Sequence, residues 1–340
     1  MSAPAPDARA FWVVEPGRGE VRSASLPAPG PDEVLVRALF SGISRGTEAL
    51  VFRGEVPPSQ YEAMRAPMQQ GDFPGPLAYG YLSVGVVEDG PAHLLGRTVF
   101  CLHPHQTRYV VPADAVVPVP DDVPARRAVL TGAVETAVNG LWDVPPLLGD
   151  RVGVVGAGMV GCCAARLLAR YPGVEVTLVD VDGTRAAVAA DLGVDFALPH
   201  EAKGGQDLVV HTSATSAGLQ TALDLLRSEG TVLDLSWYGT RGVELALGGA
   251  YHSGRLRIRS SQVAAVADAR RGVRSPAERK ALSLQLLRDP RFDALLTGDS
   301  PFDDLPQVMA GISEGRIPAI CHVVTYTDEH DEDEGGEESG

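Results

Sequence analysis

Six residues, Gly156-Ala157-Gly158-Met159-Val160-Gly161, follow without a spacer on a short buried-strand run from Val152 to Val155. Their types and spacing suit a loop that receives a pyrophosphate. The first glycine allows the tight turn, the second lets phosphate approach backbone N–H groups at a helix N-terminus, and the third lets helix pack on strand. Met159 and Val160 lie inside that approach and count with the glycines as cofactor-binding candidates. An apolar helix, Cys162 to Tyr171, and a second strand, Val174 to Val179, come next, and the strand ends on Asp180, nineteen residues after Gly161. A carboxylate there accepts hydrogen bonds from both hydroxyls of an adenosine ribose and repels a 2′-phosphate, so NAD is favoured over NADP. Arg185, five residues on, either joins the ribose or reaches a phosphate, which keeps a minor NADP reading open. Strand, helix, second strand and acid together read as a dinucleotide site, and the chemistry this supports is hydride transfer.

Such a loop works only if a fold holds it, and 340 residues at 44% hydrophobic suffice for two domains with cores of their own. The net charge of −15 is concentrated: Asp328 to Gly340 carries eight acids and no Lys or Arg, which leaves −7 for the rest. That segment, 327–340, reads as a disordered acidic tail. An acidic body without basic stripes argues against nucleic acid as a partner. No run of roughly eighteen apolar residues occurs, and Met1 to Ala10 lacks a charged region followed by an apolar core. We therefore expect a cytoplasmic protein with no membrane partner and with residues 1–10 flexible. Cys101, Cys162, Cys163 and Cys321 are too few and too unevenly spaced for a disulfide framework or a cysteine-rich zinc site.

From Phe11 to about Pro120 the pattern is one of short β-branched runs broken by Pro and Gly: Val34 to Phe40, Leu82 to Val87, Thr98 to Leu102, Tyr109 to Val111. Ala125 to Trp142 is helical in period, and Pro145-Pro146 marks a hinge. After Asp180 come a helix at Thr184 to Leu192, a strand at Asp207 to His211, a helix at Ala217 to Arg227, and strands at Thr231 to Ser236 and Leu256 to Ser261. Strands alternating with helices predict an α/β doubly wound parallel sheet. Helical stretches at Pro276 to Leu287 and Leu305 to Glu314 precede a last strand, Ala319 to Tyr326.

A β-rich front, a dinucleotide fold and a short return segment together resemble the medium-chain dehydrogenase/reductase superfamily over nearly the whole of Phe11 to Tyr326. The octamer Ser41-Gly42-Ile43-Ser44-Arg45-Gly46-Thr47-Glu48 is similar to the branch containing bacteriochlorophyllide side-chain dehydrogenase and alcohol-dehydrogenase-like proteins. The resemblance implies a Rossmann domain at 146–299 and a GroES-like β-rich catalytic domain at 11–145 plus 300–326, rejoined by the last strand. It also implies a homodimer, formed through the last strand of the nucleotide sheet. Zinc members of the family hold their catalytic metal with a Cys after the first core strand, a Gly-His-Glu motif, and a Cys or Glu on a helix before the hinge. Here the matching positions read Ser44, Gly80-Tyr81-Leu82 and Glu135. A serine hydroxyl, a phenol and a leucine do not replace thiolate, imidazole and carboxylate around zinc, so no zinc is expected. The four-cysteine structural lobe is missing too, and His103-Pro104-His105 reads as a polar pocket wall.

Without a Lewis acid, an alkoxide developing during hydride transfer needs a side-chain donor. Tyr81 is the first candidate, standing where the resemblance puts the metal-binding imidazole. Thr47 matches the hydroxyl that relays protons in relatives, and Ser44 is its rival because Gly46 shifts the alignment by one residue. Glu135 is a candidate to orient Tyr81 or act as base, and Arg45 to face the cofactor pyrophosphate. At the carboxyl ends of the parallel strands, His211 and Ser236 are expected beside the cofactor, with Trp237 and Tyr238 walling the substrate pocket. His105 and Gln106 are further substrate candidates from the front domain. The expectation is a zinc-independent NAD(H)-dependent oxidoreductase that interconverts a secondary alcohol and a ketone, its small-molecule substrate held between the domains. Two alternatives stay open: a zinc-free enoyl or quinone reductase using NAD(P)H, and a non-catalytic dinucleotide-binding protein.

Overall fold

A computed structural model of the chain describes residues 8–326; the expected acidic tail, 327–340, and residues 1–7 lie outside the described residues. The described chain forms two compact units, one comprising residues up to Val129 and from Thr297 onward, the other Leu130–Leu296.

The second unit is built on six strands in spatial order Asp195–Ala197, Glu175–Val179, Arg151–Val155, Gln206–His211, Leu226–Asp234 and Arg257–Ser260. All neighbours pair parallel, so in chain order the sheet runs 3-2-1-4-5-6, the doubly wound arrangement expected. Val152, Val154, Val209, Val210, Val232 and Leu233 are fully buried, as strands covered on both faces require. The helix Met159–Leu168 packs its small face, Cys162 to Ala165, against this sheet without exposure.

The helical pattern from Ala125 to Trp142 is divided into two elements, Ala125–Ala128 and Thr131–Asp143, and the units part between them rather than at Pro145-Pro146. Packing is the reason. Ala133, Val134, Ala137, Val138 and Leu141 are buried, and a Cβ on Gly140 would come within 2.8 Å of Leu235 Cδ2, so the longer helix belongs to the nucleotide core.

In the first unit, a seven-stranded sheet runs Leu296–Pro301, Cys321–Thr325, Glu33–Ile43, Ser83–Asp89, Thr98–Cys101, Val116–Pro118, and Arg108–Pro112 also pairs with Glu33–Ile43. A smaller sheet orders Arg18–Ala24, Ala8–Glu15, Leu77–Ala78 and Gln70–Gly71. Residues 8–10, expected to be flexible, are held there, with Ala8 opposite Ala24 and Ala10 opposite Arg22. Glu33–Ile43 is the axis of the unit: it ends at the octamer, the short helix Thr47–Phe52 follows, and Cys321–Thr325 lies antiparallel along it with Thr325 opposite Phe40. That register brings Tyr326 to Ser41. No helix among the described residues is long and apolar enough to cross a membrane.

Candidate active site

Two constellations carry chemistry, one in each unit. In the nucleotide unit, Gly156 stands at φ +109°, where only glycine is unstrained, and a Cβ there would come within 2.8 Å of the Ser213 nitrogen. A Cβ on Gly161 would lie 1.9 Å from the Gly156 carbonyl oxygen and 2.6 Å from Thr212 Oγ1. The protein itself therefore requires both glycines. Gly158 is different: it is exposed, its backbone is extended, and a Cβ there would meet nothing within 4 Å. It precedes the helix Met159–Leu168, whose first N–H groups have no side-chain cap. Space and free donors at one point suit a phosphate.

Asp180 frames this loop. Its Oδ2 accepts from the Ala157 N–H at 2.6 Å and its Oδ1 from the Asp182 N–H at 2.9 Å, which fixes the carboxylate beside the glycines. Arg185 is turned to Asp182, 3.3 Å away. His211 is fully buried at the end of its strand. Its Nδ1 lies 2.9 Å from Asp234 Oδ1 and its Nε2 2.7 Å from Ser213 Oγ. Burial alone would raise the Asp234 carboxyl, but hydrogen bonds from His211, the Ser236 N–H and the Tyr238 hydroxyl hold it below the usual carboxylate range. An ionised Asp234 makes Nδ1 the donor, so Nε2 accepts from Ser213. Ser236 Oγ in turn accepts from the Ala214 N–H at 3.1 Å, tying the loops after both strands together. Tyr238 donates to Asp234 Oδ2 at 2.9 Å and stacks on His211, while Trp237 is half-buried without a ring partner among the described contacts.

The second constellation gathers Ser44, Thr47 and Tyr81, three residues that the sequence reading singles out separately. Burial pushes the Tyr81 phenol well up, the charge of Glu48 pushes it further, and hydrogen bonds with the Ser44 and Thr47 hydroxyls draw it partway back. The phenol is thus a proton donor at neutral pH. Gly80 sets its position: φ is +142°, and a Cβ would come within 3.0 Å of the His105 ring. His105 is buried behind Glu48 rather than open to a substrate pocket, with Nε2 2.7 Å from Glu48 Oε2 and Nδ1 2.7 Å from Ser41 Oγ. Glu48 Oε1 accepts from the Ser44 N–H at 2.8 Å. Sequence reasoning gave no role to Glu48, Ser41 or Tyr326. The first two stand in the octamer and were within reach; nothing local marks Tyr326.

Glu135 is engaged within its own unit. It lies in the nucleotide unit, where its Oε1 accepts from Arg279 Nε at 3.0 Å; burial raises its carboxyl and Arg279 opposes that rise. Arg279 also reaches Asn139 and the Val263 carbonyl, so the pair anchors the segment after the last strand of the sheet. Arg45 is exposed beside the helix Thr47–Phe52. Gln106 borders a cavity of about 280 Å³ with Trp12 and His103, apart from Tyr81. The donor set around Tyr81 does not fit the family's zinc: Ser44 and Tyr81 offer hydroxyls, Leu82 an alkyl chain, and His105 is engaged by Glu48. Among the described residues no group of three or more His, Cys, Asp or Glu is placed to hold a metal ion.

The fold, a Rossmann-like unit and a β-rich unit, is shared with solved dehydrogenase structures. Residues 154–190 match the family model described as an NAD(P)-binding Rossmann-like domain. The solved structure of L-idonate 5-dehydrogenase from Escherichia coli superimposes with a TM-score of 0.77 at 15% identity, covering 96% of this chain and 100% of that one. L-threonine 3-dehydrogenase from Deinococcus radiodurans is 25% identical over 56% of this chain and 61% of its own length. The 2-desacetyl-2-hydroxyethyl bacteriochlorophyllide A dehydrogenase of Cereibacter sphaeroides is 31% identical over 43% of this chain and 48% of its own length. The chain spans between 33% and 65% of the length of the first curated relatives it matches.

Proposed function

We propose that this chain is an NAD(H)-linked oxidoreductase that interconverts a secondary alcohol and a ketone, with a phenol in place of a catalytic zinc. What supports the reading is Tyr81, set by Gly80 at φ +142° beside the His105 ring, its phenol pushed up by burial and by the charge of Glu48. The bound nicotinamide supplies or accepts the hydride. In the reducing direction Tyr81 donates to the carbonyl oxygen and transfers its proton as the alkoxide develops, while Ser44 and Thr47 stabilise the phenolate left behind. In the nucleotide unit Gly158 and the helix N-terminus receive the pyrophosphate, and Asp180 takes the ribose hydroxyls. Preference for NAD follows from Asp180, whose carboxylate is fixed by two backbone N–H groups, and from Arg185 being drawn to Asp182. We further propose a homodimer through the exposed edge strand Arg257–Ser260, checked by light scattering.

The test is a titration of metal-stripped protein with NADH and NADPH by nicotinamide fluorescence, with metal content determined before stripping, followed by turnover on ketone, enone and quinone panels. Tighter NADH binding, no stoichiometric zinc and turnover of a ketone support the reading. One zinc per chain, or a preference for enones with NADPH, overturns it.

A further inference from the structure

In the nucleotide unit the chain turns sharply from the strand Gln206–His211 into the helix Ser216–Asp224. Ala214 stands on that turn at φ +52°, a left-handed conformation that L side chains rarely adopt, and Ser213 precedes it. Such strain persists where surrounding contacts enforce it. Here Ser236 Oγ holds the Ala214 N–H at 3.1 Å. The enforced turn carries the Ser213 hydroxyl to His211 Nε2, 2.7 Å away, while His211 Nδ1 lies 2.9 Å from Asp234 Oδ1. Asp234 is fixed on both oxygens, Oδ1 accepting from the Ser236 N–H at 3.0 Å and Oδ2 from the Tyr238 hydroxyl at 2.9 Å. With Nδ1–H donated to the carboxylate, Nε2 is the bare nitrogen, and the Ser213 hydroxyl proton is directed to it.

These are the positions of a nucleophile, its general base and the acid that orients the base, an arrangement recognised by geometry and not by order along the chain. The fold also offers donors for a developing oxyanion. A Cβ on Gly218 would lie 2.0 Å from Ser213 Oγ, so the hydroxyl rests against the first turn of the helix. The Ser216 and Ala217 N–H groups of that turn have no acceptor among the described contacts. Ser213 is half-buried, whereas His211 is fully buried with Tyr238 stacked on its ring, so the hydroxyl is open to a ligand and the base is kept from water. A brace between the two loops is complete with Ala214 and Ser236 and has no use for a serine proton on Nε2.

We propose that Ser213, His211 and Asp234 form an acyl-transfer triad, a second activity of this chain that hydrolyses carboxylic esters of a small acid and uses neither Tyr81 nor a nicotinamide. The Ser213 oxygen bonds to the ester carbonyl carbon as its proton passes to Nε2, and the bond from that carbon to the alcohol oxygen breaks as the leaving oxygen takes the proton. Water then attacks the acyl-serine and gives a proton to Nε2, and Ser213 regains that proton as the carboxylic acid departs. Nothing is oxidised or reduced. Ser213 and His211 are the catalytic residues, and Asp234 is a positioning residue that holds the imidazole with Nε2 bare. The acid is small because Gly218 and Thr215, whose Oγ1 is 3.0 Å from Ser213 Oγ, close around the nucleophile.

The test uses the full chain without nicotinamide and p-nitrophenyl acetate as the ester. The parent should release nitrophenolate and carry an acetyl group on Ser213, located by peptide mass spectrometry after an acid quench. Ser213→Ala removes one oxygen from a half-buried loop; it should keep the thermal transition, lose that acetyl group and slow hydrolysis roughly 100-fold. Asp234→Asn should still be acetylated at Ser213, with acylation about 100-fold slower, a rate that a brace between loops would not move. Equal hydrolysis by the parent and Ser213→Ala, or acetyl groups only at other residues, overturns the triad. Acylation of Asp234→Asn at the parent's rate overturns it as well.

Discussion

Each unit buries one histidine against one carboxylate, and the two pairs are assembled in opposite ways. His211 and Asp234 stand at the ends of adjacent parallel strands, and their partners Ser213, Ser236 and Tyr238 follow within a few residues. His105 and Glu48 come from separate segments, and the series continues through Ser41 to Tyr326, 285 residues from Ser41. The local pair ties together two loops beside the glycine turn, as a binding platform should be. The assembled pair joins the segment after the axial strand to the end of the last strand. The first pair is made by neighbours in sequence; the second is made by tertiary pairing.

The strongest way to break the binding platform is Gly161→Val, whose side chain would enter the Gly156 carbonyl; the expected result is no folded nucleotide unit, seen as loss of the cooperative thermal transition. Next is the buried ion pair that holds the same unit together. Arg279→Leu leaves Glu135 charged without its partner and should cost about 3–5 kcal/mol in urea unfolding, whereas Glu135→Gln should cost less and leave kcat within twofold if Glu135 is structural.

The comparison sharpens with a third histidine that has no carboxylate. Burial lowers His103 to about 4, with only the Pro104 carbonyl opposing. The folded value lies below the unfolded one, so its contribution to stability is complete above pH ~6.5 and is lost as pH falls toward 4, amounting to about 3 kcal/mol. His103→Gln should flatten that part of the stability-against-pH curve. Somewhat smaller effects separate binding from chemistry. Gly158→Ala adds a Cβ that meets no atom within 4 Å, so Tm should hold while NADH affinity falls roughly 100-fold, about 2.7 kcal/mol. Tyr81→Phe should do the reverse, lowering kcat about 100-fold with NADH affinity unchanged. The smallest effect is expected from Asp180→Asn, which removes the charge and keeps one of the two loop contacts, and should shift the NADH-to-NADPH affinity ratio about tenfold toward NADPH in parallel titrations.

The nucleotide sheet was legible in the sequence because its strands are buried on both faces and its phosphate loop is contiguous, so period, turn chemistry and the acid at Asp180 all lie within one stretch. The Ala125 to Trp142 pattern misled at its joint: a helical period says which face is apolar, not which core will take it, and the core beneath Gly140 claimed the larger part. Ser44, Thr47 and Tyr81 could be chosen by type and alignment because each stands in or beside a recognisable motif. Their pKa environment could not, since Glu48 acts on Tyr81 only after Gly80 has admitted the His105 ring. Glu135 was legible as an acid on a helix, but its partner Arg279 lies 144 residues on. Tyr326 was read only as the last residue of a strand. What the amino-acid sequence determined by itself is what short-range geometry dictates: strands, glycine turns and the carboxylate that closes the second strand of the nucleotide sheet. What tertiary structure decided is which buried polar groups satisfy one another, because a desolvated donor takes whatever acceptor the packed chain brings to it, however distant in sequence.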